Sequence, residues 1–213
     1  RYVGTGVLRS TDAGKTWQRV SNNTLPAPGY VVRLEVDPQD AKHVYAAQYA
    51  RIIGNDTFAS GFFVSTDGGV NWKRTIAGLP RDLVISPANP KTLYLGMNRV
   101  DLAGNVPAGV YRSTDGGETW TNIYASPYPL GTSDVRLAVT PAAPNSVYVY
   151  SGGGNAQGFL EIRLAISKDS GATWESKTIT SRIDPNQFAY NTYVYVDPQN
   201  PNTIYAGSRD VYK

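Results

Sequence analysis

Four aspartates recur in one chemical setting: Asp12, Asp67, Asp115 and Asp169. Each has a serine two residues before it (Ser10, Ser65, Ser113, Ser167), a glycine two residues after it (Gly14, Gly69, Gly117, Gly171) and a tryptophan five residues after it (Trp17, Trp72, Trp120, Trp174). Repeated carboxylates are candidates for metal ligation or acid catalysis. Their neighbours argue for a different task. Asp and Ser side chains bond the N–H groups of their own turn. A glycine supplies the positive φ of a tight hairpin, and Trp gives a large apolar surface to pack beneath the corner. Turn chemistry is the expected role of all four.

The rest of the reactive inventory is thin. The single histidine, His43, excludes multi-His metal ligation and makes a Ser-His-Asp triad a poor basis for activity; a solvent-edge residue at a strand start is the expected role. Cysteine is absent, which excludes a disulfide scaffold and a thiolate metal site. Net charge is +3, from 20 basic and 17 acidic residues, with no Lys/Arg run to track a nucleic acid. No stretch of about 18 apolar residues is present to span a membrane. No metal, cofactor, nucleic acid or membrane span is expected.

The elements that carry the four corners are short strands. The motif serines lie 55, 48 and 54 residues apart, a period that marks an array of one supersecondary unit. An apolar run precedes each corner and a mixed run follows it, the pattern of a hairpin. A second repeat, at residues 34–46, 83–95, 137–149 and 194–206, reads as strand, Pro turn, strand, with Pro38, Pro87, Pro141 and Pro198 confined to the turn. One unit therefore holds four strands, exemplified by residues 32–36, 44–47, 62–65 and 71–75, and the chain is expected to be all-β.

The eight-residue motif resembles the Asp-box, the S-x-D-x-G-x-T-W repeat of β-propellers found in sialidases, xyloglucan-active glycoside hydrolases, sortilin-type receptors and a photosystem II assembly factor. The resemblance implies a β-propeller of four-stranded antiparallel blades, with strand one nearest the axis and buried on both faces. It is specific for the fold, and those relatives share no single activity. The expected organisation is a partial blade at 1–20, whole blades at 31–75, 82–123 and 134–178, and a partial blade at 192–213. Strands two and three occur five times and strands one and four occur four times, 18 in all. A piece of a larger propeller is the favoured reading. A four-blade ring with an overlapping end and two partial rings completing each other are the alternatives. With Arg1 entering strand-like sequence directly, the chain looks like a mature or trimmed piece.

In such blades the strand 1–2 and 3–4 turns share one face. Here that face carries the Pro turns and Asp-boxes, and it is expected to be structural. The strand 2–3 loops (48–61, 97–109, 151–159, 207–210) and strand 4–1 loops (21–31, 122–134, 175–191) share the other, where recognition on a rigid scaffold belongs. They are rich in Tyr, Phe, Asn, Asp and Arg, and aromatic rings beside such donors and acceptors suit sugars or peptides. The ligand-binding candidates are Tyr49, Arg51, Phe58, Arg99, Tyr124, Tyr128, Tyr190 and Arg209. Two sequons, at 22–24 and 55–57, lie on the same face.

The resemblance also frames the possible activities. Sialidases hold a carboxylate with an arginine cluster on this face, and Arg51, Arg99 and Arg209 recur early in three strand 2–3 loops; the Arg-Ile-Pro motif and a Tyr–Glu nucleophile pair are not found. Xyloglucan-active relatives use two carboxylates, one as acid and one as base. The candidates here are Asp56, Asp101, Asp184 and Asp210. Asp210 follows strand two directly, as such a carboxylate does in that family, although its flanking residues match poorly. The expected function is an extracytoplasmic glycan- or protein-binding or scaffold segment, secreted, periplasmic or cell-surface. Part of a glycoside hydrolase, xyloglucanase-like or sialidase-like, is the alternative. The expected partners are a glycan or protein ligand and further blades, from the same parent chain or a second copy.

Overall fold

The computed structural model describes residues 6–20, 25, 29–49, 60–98, 106–128, 132–179, 188, 192–207 and 211–212. Its elements are 17 antiparallel strands in five sheets. The first sheet pairs β1 (Leu8–Arg9) with β2 (Gln18–Arg19). Three four-stranded sheets follow in meander order. The first contains β3 (Tyr30–Val36), β4 (Val44–Tyr49), β5 (Gly61–Ser65) and β6 (Lys73–Ala77). The second contains β7 (Pro80–Ile85), β8 (Leu93–Met97), β9 (Gly109–Ser113) and β10 (Thr121–Ala125). The third contains β11 (Thr132–Thr140), β12 (Ala143–Gly154), β13 (Leu160–Ser167) and β14 (Glu175–Thr178). The last sheet holds β15 (Tyr193–Val196), β16 (Ile204–Gly207) and β17 (Val211–Tyr212). The strand expected at residues 2–5 lies outside the described residues.

The sheets are blades stacked face to face. The inner strands β3, β7, β11 and β15 lie side by side, and β7, β11 and β15 each also touch strand two of the blade before them. Alternation along each strand feeds two interfaces. Leu83 on β7 joins Tyr45, Ala47 and Phe62 of the preceding blade, whereas Val84 joins Val135 and Leu137 of the following one. Burial on both faces holds for β7 and β11, with Leu83 at 0% and Leu137 at 4% exposure. It fails for β3, where the repeat-equivalent Leu34 is 41% exposed and Val36 47%. Among the described residues, no inner strand precedes β3 to cover them.

The corners are built as their residues dictate. In each, the serine Oγ donates to the Asp Oδ1 at 2.7–2.8 Å and accepts the motif glycine N–H at 2.7–2.8 Å. The same Oδ1 accepts the N–H four residues on, and Oδ2 accepts that residue's side chain: Thr16, Thr119 and Thr173 through hydroxyls, Asn71 through its amide. These donors hold all four carboxyls at about 2; the Thr hydroxyl is the first cause in three copies and the Asn71 N–H in the second. Every motif glycine has the expected positive φ, between +85° and +93°. The residue before it is left-handed too, and there Ala13 and Ser170 hold φ +58° without a glycine's freedom.

The corner tryptophans do more than roof their own turns. Each indole donates to the motif glycine C=O, but Trp120 also donates to Thr75 Oγ1 and Trp174 to the Ile123 C=O, both on strand four of the preceding blade. Trp72 is buried against Val20. Trp17 belongs to the first sheet and is 61% exposed. The second, third and fourth Asp-boxes thus dock on the blade before them. The Pro turns share its face, as expected: Lys42, Lys91 and Asn145 accept corner N–H groups from Gly68, Gly116 and Ser170.

Candidate functional site

The opposite face is reached by the ends of strands two and four and the starts of strands one and three. Several residues expected in its loops are in fact strand. Tyr30 begins β3 and Tyr49 ends β4 as a cross-strand pair, Tyr124 sits in β10, and Asp134 in β11. Aromatic and branched residues extended the ladders beyond the sequence boundaries, with bulges between Val31/Arg33 and Asn122/Tyr124 absorbing the mismatch.

Three aromatic candidates are described. Tyr128 is buried: its OH donates to the Ser151 C=O at 2.7 Å, and burial pushes the phenol well above its usual pKa. It lines a small cleft with Met97, Val110, Val135 and Val149, between the second and third whole blades. Tyr124 packs on Trp174, ring centroids 4.7 Å apart. Tyr49 is half-buried and faces the next blade, where the Arg81 guanidinium lies 5.8 Å from its ring centroid. The other candidates, Arg51, Asp56, Phe58, Arg99, Asp101, Asp184, Tyr190, Arg209 and Asp210, lie outside the described residues, as do both sequons.

The structure brings together a charged network that sequence reasoning missed. Asp134 is fully buried on β11 and pairs with Arg81 Nε of the preceding inner strand at 2.8 Å and Arg136 of its own strand at 3.1 Å. It also accepts the Thr192 hydroxyl from just before β15. Arg136 Nη1 donates to the Arg81 C=O at 3.0 Å. Asp82 accepts the N–H groups of Leu83 and, across the blade junction, Leu137, both at 2.9 Å, with Arg33 Nε 3.7 Å away. Desolvation pushes the Asp82 carboxyl up, against the pull of those donors. Inner strands of neighbouring blades share no backbone ladder, and these carboxylates bridge them. The available signal was a polar residue inside an apolar strand one, at Asp82 and Asp134.

His43 is partly exposed at a Pro turn on the Asp-box face, with Nδ1 2.8 Å from Asp40 Oδ2. Among the described residues, no group of three or more His, Cys, Asp or Glu is placed to hold a metal, and no helix is long and apolar enough to cross a membrane.

The repeated corner, the stacked blades and the inner-strand axis define an all-β, Asp-box β-propeller architecture. The chain carries BNR/Asp-box repeats, with the family model matching residues 8–19, 63–74 and 111–122. The fourth corner, at residues 167–174, has the same hydrogen bonds. Over 93% of its length the chain is 28% identical to a xyloglucanase of Paenibacillus sp, of which it spans 20%. A sialidase of Bacteroides fragilis is 25% identical over 95% of the chain, which spans 39% of that protein. In fold, it is similar to the GH74 xyloglucanase from Xanthomonas campestris, with TM-score 0.66 and 17% identity over 97% of the chain and 33% of that structure.

Proposed function

We propose that this chain is the glycan-holding part of a glycoside hydrolase-type propeller whose substrate is a branched β-glucan of the xyloglucan class. The observation that carries the reading is the likeness to a xyloglucanase along nearly the whole chain. The division of faces supports it. One face is saturated by the hydrogen bonds of its own corners, and the other offers aromatic and arginine side chains at the blade junctions. The comparisons thus favour the hydrolase-related reading over a protein-binding scaffold.

Asp82 and Asp134 are suited to stapling blades rather than to moving protons, because N–H, hydroxyl and guanidinium donors already occupy their oxygens. Hydrolysis would therefore draw on carboxylates elsewhere, with Asp56, Asp101, Asp184 and Asp210 as the candidates. A binding segment without chemistry is the second reading, favoured by this same saturation. Further blades, from the parent chain or a second copy, would cover Trp17, Leu34 and Val36, and the protein would work outside the cytoplasm.

The test is native electrophoresis of the chain through gels with and without xyloglucan, beside reducing-sugar release from the same polymer. Retardation is expected. Release abolished by Asp210→Asn would assign hydrolysis, and retardation without release would assign a binding segment. Neither retardation nor release would overturn the glucan reading.

A further inference from the structure

The loop face has a regular way of closing its blade junctions, and one junction departs from it. The connections from strand four to the next strand one insert apolar side chains between blades. Leu25 (3% exposed) fills the first junction with Val44 and Phe63, Tyr128 (5%) the third, and Phe188 (0%) the fourth against Tyr150 and Ile162. The remaining connection, between β6 and β7, is only Gly78 and Leu79. Its one large apolar side chain, Leu79, is only partly buried. What stands at this junction instead is the pair Tyr30 and Tyr49, directly opposed across β3 and β4, with Arg81 of the next blade over the Tyr49 ring.

We propose that this junction is a carbohydrate subsite, with the two tyrosines as the stacking platform and Arg81 as a hydrogen-bond donor to sugar hydroxyls. Three features fit that task. Tyr30 is 40% exposed and so offers an apolar face to solvent. Tyr49 is backed by the guanidinium, a planar group of donors that fixes the ring. Arg81 itself is fixed, because its Nε is paired at 2.8 Å with the fully buried Asp134. A pyranose ring has an apolar face and an equatorial rim of hydroxyls, which matches an aromatic surface edged by one rigid donor group.

This inference rests on the glucan reading above and locates the contact for it. The test measures retardation of the chain in xyloglucan gels for wild type and for Tyr30→Ala, Tyr49→Ala, Tyr49→Phe, Trp17→Ala and Phe159→Ala. Trp17 and Phe159 are the most exposed aromatic rings elsewhere, at 61% and 72%. Loss of one stacked ring is expected to weaken apparent affinity by roughly two- to tenfold. Tyr30→Ala and Tyr49→Ala should show that loss with unchanged melting temperature, Tyr49→Phe should retain binding, and the Trp17 and Phe159 variants should match wild type. Tyr30→Ala, at an exposed position, keeps the test decisive if Tyr49→Ala unfolds. Wild-type retardation unaffected by both tyrosine truncations, or lost instead in Trp17→Ala or Phe159→Ala, overturns the subsite and leaves the glucan reading standing. No retardation of wild type overturns both.

Discussion

Substituting alanine for the motif glycine should cost very different amounts in different corners. Gly117 has φ +88°, and a Cβ there would meet Phe62 Cε1 at 2.5 Å and Leu93 Cδ1 at 3.2 Å, both in fully buried side chains of the Asp-box's own and preceding blades. Forcing alanine into left-handed backbone costs about 1–2 kcal/mol. Overpacking a filled core adds about 1–3 kcal/mol. Gly117→Ala should therefore lose about 2–5 kcal/mol. Gly14 has nearly the same φ, +85°, but its Cβ would meet only Trp17 Cζ2 at 3.9 Å, because no described blade lies before it. Gly14→Ala should lose only the backbone part, about 1–2 kcal/mol. Urea titrations followed by circular dichroism and tryptophan fluorescence would measure both. Equal losses in the two variants would refute the claim that the later Asp-boxes dock on the blade before them.

The corners should also respond to acid. Their carboxyls titrate at about 2 in the folded state, below the ordinary 3.8, so the stability they contribute is present above about pH 4 and is lost as pH falls from there towards 2. Melting temperatures from pH 7 to 2 at constant ionic strength should be flat down to about pH 4 and fall below it; a variant with asparagine at all four positions should lose much of that fall. Relief of left-handed strain should make Ala13→Gly and Ser170→Gly neutral to stabilising by up to about 1 kcal/mol in the same urea titrations. Asp134→Asn leaves Arg81 and Arg136 without their shared carboxylate and should destabilise by about 3 kcal/mol, the lower end for a broken buried pair because both arginines reach solvent; a cost below about 1 kcal/mol would remove it as a blade staple.

The fold was legible because its signals are local and repeated. Ser, Asp, Gly and Trp at fixed offsets satisfy a turn's own backbone, and four copies at one period announce the array before any long-range contact is known. The chain order of the strands followed from the same repeat. The blade junctions were less legible, because they depend on pairings some 45–58 residues apart, such as Trp120 with Thr75 and Asp134 with Arg81 and Thr192. Asp82 and Asp134 broke the apolar pattern of strand one and were the only hint of the staples. Tyr128 and Phe188 read from sequence as loop aromatics, and the structure buries both. Tyr30 read the same way but stayed exposed, since the connection after β6 is too short to supply a ring to its junction. Composition alone cannot separate these outcomes; loop length and the packing of the next blade decide them.

The proposed division gives recognition to the loop face and leaves the Asp-box corners structural. Amide chemical-shift mapping of the 15N-labelled chain with a xyloglucan oligosaccharide tests it most directly. Shifts centred on Tyr30, Tyr49 and Arg81, with Asp12, Asp67, Asp115 and Asp169 unmoved, are predicted. Shifts centred on the four corners instead would contradict it.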